Sequence, residues 1–286
     1  MPHWKEFRSG SFMTSTPVPG HADVATGVPG YDDYFAQNNG DFRVRITIND
    51  FGLRNPDPIT KADNRIWVVG DSMTFGWGVE QQQMYSSLIK NVSGQQAYNI
   101  SSPGTSVCGY QALVDRMPKN LNPTAVIVGL ILENDISRYD CTEFAREQKN
   151  TPKFAESISL LRLKRFLTLN CALYNFVSMS LKRIPLVERI LVYSGLAAEP
   201  HMYRQQLKDD QLDIATTETV SELLKLKKQL PEGTPFAVLV APARFEIKDA
   251  NPFYQKLRDK MNTALSRENI PSIDPINGFL KKGFTA

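Results

Sequence analysis

The sequence predicts an α/β protein built on a parallel sheet with helices on both faces. Three observations carry that prediction. Short, uninterrupted apolar runs recur at "RIWVVG" (65–70), "TAVIVGLI" (124–131) and "FAVLVAP" (236–242), as expected for strands covered on both sides. Segments with helical apolar spacing alternate with them. The chain has 286 residues, 42% hydrophobic and 22% charged, enough to bury a large core within the globular range.

Residues 1–40 are rich in Gly, Pro, Asp and Asn and read as an irregular lead-in to a domain spanning 41–286. "DFRVRITI" (41–48) then sets Phe42, Val44, Ile46 and Ile48 against Arg43, Arg45 and Thr47. That period of two predicts a half-buried strand, closed by the turn "NDFGLRNPDP". The run at 65–70 is the first core strand, with a helix expected over 80–90. "QAYNI" (96–100) is the second strand, followed by a Gly/Pro/Ser loop (101–109) and a helix over 109–120. After the third strand at 124–131, "SELLKLKKQL" predicts a helix and "FAVLVAP" the fourth strand. "PFYQKLRDKMNTALSREN" is the last long helix, and "IPSID" (270–274) a short final strand.

One segment, 152–210, breaks the alternation. Ile158, Leu161, Phe166, Leu173, Val177 and Leu181 recur at helical spacing, which predicts a helical insertion between the third and fourth core strands. Such an insertion serves as extra core, as a face for a second copy, or as a lid.

Several function classes are excluded. The formal charge of +3 comes from 33 basic and 30 acidic residues, scattered along the chain, so no nucleic-acid partner is expected. The uncharged, largely apolar stretch 166–181 is shorter than a bilayer span and carries Asn, Thr, Ser and Tyr, which argues against an integral membrane segment. The N-terminal residues have no apolar signal core, leaving a cytoplasmic protein or a piece of a longer exported one. Cys108, Cys141 and Cys171 have neither CxxC spacing nor an even count, so neither a disulfide nor a metal is expected and Cys108 is read as packing. No cofactor is expected: the loop after the first core strand lacks both GxGxxG and the phosphate-binding lysine.

The chemistry-bearing candidates sit after three successive strands. Gly70 ends the first, and "GDSMTFGWG" puts Ser72 at a strand-to-helix turn, either as a nucleophile or as part of a capping turn. After the second strand, Gly104 in "SSPGTSVCGY" can present an unobstructed backbone N–H. After the third, Asn134 in "LENDISR" can aim an amide N–H at the same point. In a parallel sheet these loops share one edge, where ligands bind. A nucleophile and two donors for a developing oxyanion are the parts of acyl transfer.

These three stretches resemble the first three blocks of the SGNH (GDSL-type) hydrolases, and "NDFGLRNP" (49–56) resembles a lead-in found in bacterial members. The resemblance spans roughly residues 41–274 and implies a flavodoxin-like three-layer α/β/α fold. It implies Ser72 as nucleophile, and Ser72, Gly104 and Asn134 as the oxyanion hole. The implied substrate is a small-molecule or carbohydrate acyl ester. Leu132 departs mildly from the family, which usually has Gly there.

The larger departure is the base. The family's last block carries Asp-x-x-His, but the only histidines are His3, His21 and His201, and none has Asp three residues before it. Three explanations remain: a longer protein, a variant without the base, or a substitute such as His201. Asp274 reads as a strand-end residue rather than the acid of a triad. Loss of a positioned base costs on the order of 10²–10⁴ in rate. The alternatives to a hydrolase are therefore an impaired protein of the same fold that binds carbohydrate or acts as a scaffold, and an O-acyltransferase. Nearby, Arg244 after the fourth strand is a candidate for the site's rim or a solvated arginine, and Phe75 and Trp77 for sugar stacking or burial.

Overall fold

A computed structural model describes residues 12–36, 42–137, 140–150 and 207–282, with isolated positions between 166 and 193. Five parallel strands form the central sheet: β5 (Ile66–Gly70), β6 (Ala97–Asn99), β7 (Ala125–Ile131), β8 (Phe236–Ala241) and β9 (Ser272–Ile273). Their spatial order is β6-β5-β7-β8-β9. Counted from the first sheet strand this is 2-1-3-4-5, the flavodoxin-like order, whose ligand crevice opens between the carboxyl ends of the first and third strands. Here those strands are β5 and β7, in register with Gly70 opposite Gly129.

Handedness assigns the layers. The connection from β5 to β6 runs one way across the sheet and every later connection runs the other, so right-handed crossovers put their helices on opposite faces. α1 (Ser72–Phe75) and α2 (Tyr85–Ser93) follow β5. α3 (Val107–Asp115), α4 (Cys141–Asn150), α5 (Leu212–Lys228), α6 (Arg244–Asp249) and α7 (Pro252–Arg267) follow the next strands, and α8 (Ile276–Lys282) follows β9. α3 and α7 both pack against α5. Tyr110, Leu113, Leu223, Leu226, Leu257 and Met261 from these helices close over Trp67, Val69, Val128 and Val238 of the sheet. β5 is buried along its whole length, whereas β8 alternates buried and half-buried residues. β5 is thus covered on both sides, whereas β8 is only partly covered on its second face.

The N-terminal residues differ from the irregular lead-in that their composition suggests. β1 (Met13–Thr16) pairs antiparallel with β2 (Val24–Gly27), and β3 (Asp32–Ala36) pairs antiparallel with β4 (Arg43–Thr47). The Gly residues mark real turns, Gly20 and Gly30 having φ of 80° and 76°. The strands between them are too short to show a period. In β4 the predicted alternation holds, with Val44 and Ile46 buried between exposed Arg43 and Arg45. Phe12, Phe35, Val44, Ile46 and Phe75 form a second small core against Phe42 and Trp77.

A disulfide joins Cys108 to Cys141, correcting the expectation that neither would be bridged. Spacing of 33 residues conceals the pairing in the sequence. The fold creates it, because α3 and α4 both begin at the carboxyl edge of the sheet and bring the two Cα atoms within 5.1 Å. Most of the predicted insertion at 152–210, including Ile158 and Leu161, lies outside the described residues. Of its described positions, Phe166, Leu173, Val177 and Leu181 are helical and exposed.

Candidate active site

The first strand end is shaped by close approach. Gly70 and Gly129 lie side by side, and a Cβ on either would stand within 2.3 Å of Thr74 Oγ1. The missing side chains let Thr74 settle on the sheet, and α1 with it. Gly70 therefore matters for the space it leaves to Thr74.

α1 is a single turn of four residues, too short for the helix field to contribute much at Ser72. What organises the turn is Asp71. Its Oδ1 accepts the Met73 N–H at 2.8 Å, capping the turn, and its Oδ2 accepts an Asn134 Nδ2–H at 2.8 Å. Asp71 is 1% exposed, and burial pushes its pKa upward against the opposing effect of those donors. Ser72 is half-buried, and among the described residues its hydroxyl has no hydrogen-bond partner.

The second and third loops meet this turn. Ser102 donates its N–H to Gly70 O at 3.1 Å, and Thr105 Oγ1 bonds Ser102 O at 2.7 Å, so the turn holding Gly104 is tied to the end of β5. Gly104 is exposed with φ of 71°, and nothing lies within 4 Å of where its Cβ would be. Glycine is required there by the backbone, and the space beside it is open. Asn134 is exposed and bonded to Asp71. Leu132, at the departure from the family pattern, continues the β7 pairing through its N–H to Ala241 O at 3.3 Å and is buried in the core. Ser72, Gly104 and Asn134 are thus carried by three interlocked loops at the β5–β7 crevice.

The lead-in "NDFGLRNP" is the scaffold behind the nucleophile turn. Fully buried Arg54 donates to the carbonyls of Gly76 (2.5 Å), Val79 (2.8 Å) and Arg45 (3.2 Å), which replace the water it has lost. Burial lowers its pKa to about 10, against the opposing charge of Glu80. Asn55 pairs with both the N–H and C=O of Asn99 at the end of β6, at 3.0 and 2.7 Å. Asn99 in turn donates to Thr74 O at 3.0 Å.

Beneath the site, fully buried Asp135 accepts from Tyr110 Oη at 2.8 Å and from the Ile131 N–H at 2.7 Å. Burial, and secondarily the nearby Asp71 charge, hold its pKa well above the carboxylate range. No sequence signal marks this role, since an acidic residue after Asn134 reads as part of a polar turn.

The remaining candidates have definite places. Arg244 pairs its Nε with Glu133 Oε2 at 3.1 Å, next to Asn134 along the edge, and stays half exposed. Phe75 is 2% exposed and packs with Phe12 and Trp77, so the aromatics of "FGWG" belong to the small core. Asp274 accepts Arg258 Nη1 and Asn262 Nδ2, both at 2.9 Å, and the Ile276 N–H, consistent with a strand-end residue. His21 faces Asp115, the last residue of α3 and so at the end of that helix away from the site. His3 and His201 lie outside the described residues. Among the described residues, no helix is long and apolar enough to cross a membrane.

No protein-family model matches this chain, and no curated protein matches its sequence. Among solved structures it is similar to a GDSL-like lipase from Bacteroides thetaiotaomicron VPI-5482, at 12% identity and a TM-score of 0.33, over 78% of this chain and 74% of that one. It is also similar to LAE5, an α/β hydrolase enzyme from the metagenome of Lake Arreo, Spain, at 12% identity and a TM-score of 0.34, over 77% of this chain and 81% of that one. Likeness at this level says nothing about activity or substrate.

Proposed function

We propose that this protein is a serine-dependent acyl-ester hydrolase of the SGNH type, removing acyl groups from carbohydrate or related esters. The observation that supports it best is the convergence of the three loops: Ser72 follows the residue that binds Asn134, and the Gly104 turn is hydrogen-bonded to the strand end beside it. In this reading Ser72 Oγ attacks the ester carbonyl and forms a C–O bond. The carbonyl oxygen becomes an oxyanion held by the N–H groups of Ser72 and Gly104 and by Asn134 Nδ2. Collapse breaks the bond to the alcohol, which leaves with a proton, and water then releases the acyl group from Ser72. With an alcohol in place of that water, the same parts perform acyl transfer.

The Ser72 proton needs an acceptor, and the described histidine, His21, is engaged at the far end of α3. That placement favours a second reading, a carbohydrate-binding protein of the same fold without turnover. One experiment separates the two. Release of nitrophenol from 4-nitrophenyl acetate is followed for the wild type and Ser72→Ala while imidazole is added as a diffusible base. The hydrolase reading expects the wild type to exceed Ser72→Ala, with the gap widening as imidazole rises. Identical rates for both proteins at every imidazole concentration reject the hydrolase and leave the binding protein.

A further inference from the structure

We infer that Asp71 is a positioning residue: its carboxylate fixes the rotation of the Asn134 amide so that one N–H binds Asp71 and the other faces the oxygen held over Ser72. This rests on the acyl-ester reading above. The geometry carries it in three steps.

First, Asn134 is exposed, so packing does not hold its side chain, whereas the bond to Asp71 Oδ2 at 2.8 Å does. An amide nitrogen has two N–H groups in one plane. Engaging one sets the direction of the other.

Second, the carboxylate decides which way round the amide sits. The partners of Asp71 are both donors: Asn134 Nδ2 and the N–H of Met73. An ionised carboxylate only accepts, so it repels the amide oxygen and selects the orientation that brings Nδ2 inward.

Third, the same carboxylate binds two loops. Oδ1 holds the turn that carries Ser72, and Oδ2 holds the loop that carries Asn134, 63 residues away. Nucleophile and amide donor are thereby registered against one group that touches neither substrate nor reacting atoms.

Asp71→Asn tests this without changing shape. Its one oxygen is needed by the Met73 N–H, which leaves its amino group facing Asn134. Asn134 then flips, and an oxygen lone pair replaces the N–H at the oxyanion. Ser72-dependent acylation by 4-nitrophenyl acetate is measured in single turnovers for the wild type, Ser72→Ala, Asp71→Asn, Asn134→Ala and the Asp71→Asn/Asn134→Ala double variant.

Loss of one oxyanion donor typically slows the reaction on the order of 10²–10³-fold. Asp71→Asn and Asn134→Ala should each show a loss of that order with KM little changed. The double variant should be no slower than Asn134→Ala, because Asp71 acts through Asn134. A wild-type rate in Asp71→Asn, or losses that multiply in the double variant, would overturn the inference. The side-chain ¹⁵N resonance of Asn134 provides a readout independent of turnover and should shift between wild type and Asp71→Asn. An unshifted resonance also overturns the inference. A shifted resonance with no difference between wild type and Ser72→Ala overturns the hydrolase reading instead, leaving the clamp itself supported.

Discussion

Gly70→Ala is the smallest change that should displace the nucleophile turn. The added Cβ would stand 2.2 Å from Thr74 Oγ1, 2.7 Å from Thr74 Cβ and 3.0 Å from Gly129 O. Carbon contacts are comfortable near 3.5–4.0 Å, so Thr74 must retreat by roughly 1 Å. It cannot simply rotate, because its carbonyl accepts from Asn99 Nδ2 at 3.0 Å and its hydroxyl meets Tyr85 Oη at 3.2 Å. α1 therefore moves as a unit, carrying Ser72. Overpacking of this kind costs about 1–3 kcal/mol in stability. A displacement of about 1 Å in a reacting group costs on the order of 10²-fold in rate. The urea midpoint reads the first effect and Ser72-dependent nitrophenol release the second. Thr74→Gly in the Gly70→Ala background removes both close Thr74 contacts and should recover part of the lost rate. A Gly70→Ala protein with wild-type rate and midpoint, or a double variant no faster than Gly70→Ala, refutes the close-approach argument.

Two further predictions concern stability. Replacing Cys108 and Cys141 by Ala frees a 33-residue loop and should cost about 3–4 kcal/mol by chain entropy. Urea unfolding with and without reductant measures this, and an unchanged midpoint in both comparisons would show the bridge to be irrelevant to folding. Asp135 gives a pH signature: its folded pKa is raised above the ordinary 3.8 by burial. From 3.8 upward to the folded value the native state holds a proton that the unfolded chain has released, so stability falls as pH rises through that window. Asp135→Asn removes this dependence, and its midpoint should gain on the wild type as pH increases from about 4 toward the raised folded value. A difference that stays constant with pH contradicts the assignment.

The strands of the sheet were readable because burial on both faces demands continuous apolar runs, as in "RIWVVG", and the order of strands and helices followed from their alternation. Ser72, Gly104 and Asn134 were readable as candidates because each follows such a strand. The N-terminal strands were not, since four or five residues such as "MTST" carry too little period to outweigh the surrounding turn residues. Arg54 illustrates another limit. A lone arginine in a Gly- and Asn-rich turn reads as solvated, yet it is fully buried because four backbone carbonyls, those of Arg45, Phe75, Gly76 and Val79, converge on it.

What the sequence by itself determined is the class of fold and the strand ends at which chemistry is to be sought. Both are local properties, written in periodicity and in residues adjacent along the chain. Tertiary structure alone decided the Asp71–Asn134 bond, the Cys108–Cys141 bridge and the support of the Ser72 turn by Arg54 and Asn55. Each joins residues 20 or more positions apart through contacts that exist only once parallel pairing has brought their strand ends to one edge. Spacing along the chain carries no record of such contacts, because the crossover geometry, and not the sequence separation, sets which loops meet.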